Sequence, residues 1–137
     1  MAVSEEDIYH MVENVPAFVP HLTKDRAKEM LRDDVDGSYL LRFSVNTGSL
    51  VLTVSIRGRC KHYVMDETAD GTYTFDGDIA AETVIELLKE VCEVGFEDAE
   101  GKQVLPSRPC SKAVEAHLAK QVDLLFPVQA TSLIRLF

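Results

Sequence analysis

Residues 37–44 read Gly-Ser-Tyr-Leu-Leu-Arg-Phe-Ser, and this run limits the chain more than any other. Side chains alternate along a strand, so Tyr39, Leu41 and Phe43 share one face while Leu40, Arg42 and Ser44 share the other. An arginine among apolar strand residues is costly unless an anion or hydrogen-bond acceptors receive it. Gly37 supplies the turn into the strand, and Ser44 adds a hydroxyl beside the guanidinium as the chain leaves it. A phosphate is the natural guest, because the guanidinium fork matches its oxygens. The competing reading is a structural arginine paired with a carboxylate.

Charge narrows the class of guest. The chain carries −9 over 137 residues, which argues against general nucleic-acid binding. Residues 24–61 hold eight basic and five acidic side chains and so stand at +3, leaving −12 for the rest. An acidic protein with one basic sector suits a small local anion better than a polyanion. Cys60, Cys92 and Cys110 form an odd set without metal-ligand spacing. That fits a reduced cytosol, a host cell's if the chain is a secreted bacterial effector, and gives no reason to expect a cofactor or metal. The Ser4-Glu5-Glu6-Asp7 start is no signal peptide. No apolar run approaches the roughly 20 residues a membrane span requires. The length suits a single domain.

Periodicity supplies the elements. Ser4 caps a short helix with Ile8, Met11 and Val12 as its apolar stripe, and Pro16 and Pro20 bracket an extended stretch. Thr23 caps a second helix with Ala27, Met30 and Leu31 on one face and Lys24 in the first turn. A cation there opposes the helix dipole and makes sense if an anion shares the site. After the strand at 38–44, a loop holding Asn46 and Thr47 leads to a strand over 49–57. There Leu50, Leu52, Val54 and Ile56 face one way and Thr53 and Ser55 the other. A third strand over 60–66 sets His62 opposite Lys61, Tyr63 and Met65, and Asp70-Gly71 marks a hairpin. A long helix over 79–94, capped by Asp78 and ended by Gly95, completes the pattern. The expected fold is α+β, a central antiparallel sheet flanked by two helices. Residues 96–109 read as turns, and an extra C-terminal helix starts at Ser111, with Val114, Leu118, Val122 and Leu125 at helical spacing. The expected division is residues 1–110 as the domain, with its short N-terminal helix, and 111–137 as a helical extension packed on or beside it.

Three segments, in order, carry a likeness: 22–31 as a first helix, Gly37 to Ser44 as a phosphate-binding strand, and Lys61-His62-Tyr63 on a later strand. The chain from about 18 to 94 resembles the Src-homology-2 (SH2) family of phosphotyrosine-binding domains. The resemblance implies a non-catalytic module for tyrosine-phosphorylated proteins or peptides. It puts Arg42 bidentate on the phosphate, with Ser44 donating a hydroxyl. Asn46 and Thr47 close over the oxygens, Lys24 approaches from the helix, and His62 lines the pocket. Pocket depth then admits phosphotyrosine and excludes the shorter phosphoserine. The chain departs from the family in several places. Ala17 and Phe18 stand where a tryptophan is usual, Lys24 where an arginine is common, and Val64 where some members carry a basic residue. The stretch after the long helix is unlike the usual pattern, which implies weak preference for flanking sequence. These departures mark a divergent or non-animal member.

Two other functions compete. A phosphotyrosine phosphatase needs an activated cysteine a few residues before an arginine, and none of the three cysteines has one. A structural adaptor would keep a vestigial phosphate site and bind a partner, or dimerise, through the C-terminal helix and the apolar tail at 133–137.

Overall fold

The computed structural model describes residues 5–44 and 48–125. The Ser4 cap, the loop residues Asn46 and Thr47 and the 133–137 tail lie outside the described residues. In chain order the elements are helices α1 (Glu5–Val12) and α2 (Lys24–Leu31), then strands β1 (Ser38–Phe43), β2 (Leu50–Ile56) and β3 (Arg59–Val64). Short strands β4 (Asp66–Glu67), β5 (Tyr73–Thr74) and β6 (Ala80–Ala81) lead to helix α3 (Val84–Val94). Strands β7 (Phe96–Glu97), β8 (Gln103–Val104) and β9 (Arg108–Pro109) precede helix α4 (Ser111–Leu125).

The main sheet has the order β3-β2-β1-β9. β1, β2 and β3 form the expected antiparallel meander, with Arg42 opposite Val51 and Thr53 opposite His62. β9 was read as a turn. Instead it adds a parallel edge strand, pairing Ser38 with Arg108 and Tyr39 with Pro109. Proline is tolerated at such an edge because no ladder donor is needed there. The rest of that edge is covered by the extended stretch between Pro16 and Pro20. The Leu41 amide donates to the Ala17 carbonyl at 2.9 Å, and the Val19 amide to the Leu41 carbonyl at 2.8 Å. Gly37 is where these segments meet. Its amide donates to the Ser55 carbonyl at 2.7 Å, and its carbonyl accepts from the Ser107 amide at 2.8 Å. Its φ is +90°, and an added Cβ would collide with the Ser107 side chain.

Each sheet face has its own core. Leu41, Phe43, Leu50, Leu52 and Val54 pack with Val84, Leu87 and Val91 of α3 and with Ile8 and Val12 of α1. On the opposite face Leu40 packs with Leu22, Ala27 and Leu31 of the α2 region and with Cys110 and Ala113 at the start of α4. The result is a sheet between helical layers, the expected α+β sandwich. Phe18 is buried in the first of these cores. It meets Tyr9 and Phe43 edge-on, with ring centroids 5.5 Å apart in both pairs.

One element boundary is corrected. Helix α3 starts at Val84, not near Ile79, because Thr83 is the cap and accepts from the Glu86 amide at 3.1 Å. Asp78 is not a cap. The Asp76 carboxylate holds the Asp78 and Ile79 amides, and Ala80–Ala81 pairs with β5. Thr23 caps α2 as expected, accepting from the Arg26 amide at 3.2 Å. Helix α4 is fixed at its start by Asp34, whose Oδ2 accepts from both the amide and the hydroxyl of Ser111 at 2.8 Å. Burial alone would raise the Asp34 pKa, but the Ser111 bonds outweigh it and hold the carboxyl far below the usual range. Further along α4, Lys120 Nζ donates to the Tyr9 hydroxyl at 2.9 Å.

Candidate anion-binding site

The alternation of β1 puts Arg42 on the α2 face of the sheet, beside Leu40. It is 5% exposed. Its Nε donates to Thr53 Oγ1 at 3.3 Å, and its Nη2 donates to His62 Nδ1 at 3.4 Å. Thr53 and His62 are a cross-strand pair, with Oγ1 and Nδ1 3.0 Å apart. Because arginine only donates, Nδ1 is an acceptor and the imidazole proton sits on Nε2. Thr53 then accepts from Arg42 and donates to His62, so its one hydroxyl fixes both neighbours.

Burial, and then the charges of Arg42, Lys24 and Lys28, push the His62 pKa down to about 4. The ring is therefore neutral near pH 7, and its Nε2–H is a donor. That atom is buried and has no hydrogen-bond partner among the described residues. Such an orphan costs about 1–3 kcal/mol until an acceptor reaches it. Arg42 is in a similar state. Among the described residues no carboxylate lies within ion-pair distance of it, and burial depresses its pKa. Two donors thus converge below the sheet surface with their charge or hydrogen-bonding capacity uncompensated. Arg57, by contrast, is an exposed cation already paired with Asp98 at 2.8 Å.

The structure brings Arg42, His62 and Lys24 into one neighbourhood. Lys24 is the exposed first residue of α2, and its charge acts at His62. Ser44 continues the Arg42 side of β1. Its amide donates to the Ser49 carbonyl at 2.9 Å and its carbonyl accepts from Gly48 at 2.8 Å, closing the loop on that side. Asn46 and Thr47 fall in that loop, outside the described residues. Two participants were missed from sequence. Thr53 was read on the correct face but given no role, and only the register against His62 reveals one. Lys28 is one helical turn from Lys24, and that spacing was a usable signal.

A second feature lies past β3, on the α3 side. Tyr63 stacks on Phe96 with centroids 3.9 Å apart, beside a cavity of about 350 Å³ with Ile79, Val94 and Phe96 in its walls and Asp76, Asp78 and Glu97 around them.

A small sheet domain with a guanidinium buried and, among the described residues, without a carboxylate partner is the arrangement expected of an anion-binding module. The SH2 domain family model matches residues 18–90, more than half of the chain, and the chain belongs to the SH2 domain family. As a family these are phosphotyrosine-binding modules and are generally non-catalytic. The chain is also 32% identical, over 62 residues, to the tyrosine-protein kinase csk-1 of Caenorhabditis elegans. That alignment covers 44% of this chain and 12% of the kinase. Among the described residues no helix is long and apolar enough to cross a membrane.

Proposed function

We propose that this chain binds phosphotyrosine in partner proteins or peptides through a pocket centred on Arg42. The observation that carries the reading is a guanidinium 5% exposed and without a carboxylate partner among the described residues. A dianionic phosphate supplies the missing charge and can accept from Nη1 and Nη2 together. Thr53 holds the guanidinium from its Nε side and His62 Nδ1 takes one Nη2 hydrogen, leaving Nη1 and the second Nη2 hydrogen for the ligand. Ser44, Asn46 and Thr47 supply donors from the β1–β2 side, and Lys24 adds charge from α2. His62 lines the pocket, held as a neutral donor. Residues 1–110 form the binding unit and 111–137 an extension to it, acting in a reducing cytosol. Flanking preference is modest. At the cavity past β3, Asp76, Asp78 and Glu97 favour basic over acidic residues.

The adaptor reading has one observation in its favour, the exposure of Leu118 on α4 at 54%. It gives no account of an arginine kept buried and unpaired. The test is Arg42→Ala, titrated with a phosphotyrosyl peptide. Affinity falls at least a hundredfold on this reading; unchanged affinity rejects it.

A further inference from the structure

We propose that the domain has a second anion subsite on the α2 face, which takes an acidic or phosphorylated side chain of the same peptide that delivers the phosphotyrosine. This rests on the phosphotyrosine reading and adds a specificity determinant to it. The subsite is a cavity of about 480 Å³ lined by Lys28, Leu31, Arg32, Ser55, Arg59 and Cys60, with no carboxylate in its wall. Elsewhere on the protein, cations such as Arg26 and Arg57 are matched by Glu29 and Asp98. Lys28, Arg32 and Arg59 have no ion pair among the described residues. Ser55, only 8% exposed, adds a hydroxyl to the wall of this cavity.

The subsite adjoins the Arg42 pocket. Ser55 follows Thr53 on the same face of β2, and Cys60 precedes His62 on the same face of β3. Two strand residues span about 7 Å. Lys28 stands one helical turn, about 6 Å, beyond Lys24. It lines the cavity together with Ser55 and Cys60. An extended peptide covers about 3.3 Å per residue, so an anionic side chain roughly two to four residues from the phosphotyrosine reaches the subsite.

A peptide is favoured over a membrane surface or a nucleic acid for two reasons. A protein of net charge −9 is repelled by an extended anionic surface, and three cations around one cavity suit a single group. The shared chemistry is a carboxylate or phosphate, and the arms of the test separate these sources.

The experiment titrates the full chain with a phosphotyrosyl peptide having neutral flanks. It is repeated with one glutamate, or one phosphoserine, stepped through the four positions on either side. We expect one position to tighten binding five- to twentyfold, more for phosphoserine than for glutamate. Arg32→Ala and Arg59→Ala, both at exposed positions, should erase that gain while neutral-peptide affinity stays within threefold. No gain at any position, or a gain that survives both substitutions, overturns the subsite while leaving the Arg42 pocket intact. Failure of the neutral phosphopeptide to bind at all rejects both. Vesicles of neutral lipid with and without a phosphoinositide form the last arm. Capture that depends on Arg32 and Arg59, with no peptide gain, reassigns the cavity to a headgroup and overturns the proposal.

Discussion

Replacing Arg42 by methionine should stabilise the fold while removing its ligand. The guanidinium is 5% exposed and, among the described residues, donates only two long bonds, 3.3 Å to Thr53 and 3.4 Å to His62. Losing them costs about 1.5 kcal/mol each, the low end for bonds to a charged group because both are long. No polar group is newly orphaned, because Thr53 and His62 keep their mutual contact at 3.0 Å. Against this, an effective desolvation penalty of several kcal/mol disappears with the charge. Methionine keeps much of the buried stem and adapts to irregular space. The balance is about 1–3 kcal/mol in favour of Arg42→Met. For a domain of this size that is an increase in Tm of about 3–10 °C. Thermal and urea unfolding should be followed in buffer free of phosphate, since an anion bound to the folded state raises Tm by itself. A structural arginine would behave in the opposite way, because breaking a buried pair costs about 3–5 kcal/mol. A fall in Tm on Arg42→Met would therefore refute the claim that this charge is uncompensated.

Three further outcomes follow from the geometry. His62 holds its proton more weakly folded, near pH 4, than at the ordinary value of 6.5. Its contribution is thus complete above pH 6.5 and is lost as pH falls toward 4. The shift corresponds to roughly 3 kcal/mol, reduced to about 1–2 by solvent screening at this half-buried position. Urea unfolding of the native chain and of His62→Gln at pH 7 and 4.5 should show that extra acid loss only in the native chain; equal losses contradict it. Asp34→Ala removes both bonds to Ser111 and should cost about 1–2 kcal/mol, with faster amide exchange at the start of α4. Unchanged exchange there would show that Asp34 does not hold the helix. Gly37→Ala drives a Cβ toward Ser107 and the Leu105 carbonyl at a φ of +90°. It should lower stability by about 1–3 kcal/mol in a denaturant titration, and a neutral result would mean that the β1 turn relaxes freely.

Local signals made much of the frame legible. Thr23 is a cap with its helix directly behind it, and the alternation of 38–44 and 50–56 assigns every side chain to its face, Arg42 included. What was illegible depended on partners distant in sequence. β9 is two residues long and has no period of its own; it is a strand because β1 has an open edge beside it. Asp34 reads as a turn residue, and only the folded chain brings Ser111 to it across 77 positions. The start of α3 was misplaced because Asp78 and Thr83 are both good caps, and pairing of Ala80–Ala81 with β5 decided between them. Thr53 shows the same limit within the site. A threonine on the polar side of a strand is unremarkable until the register sets it against His62 and within reach of Arg42.

The central claim is that Arg42 waits, deep and unpaired, for a phosphate carried on an aromatic ring. One peptide should be titrated against the native chain with its central residue as phosphotyrosine, tyrosine or phosphoserine. Saturable binding of the phosphotyrosine form, with the other two at least a hundredfold weaker, is the predicted result. Phosphoserine binding as tightly as phosphotyrosine would contradict it.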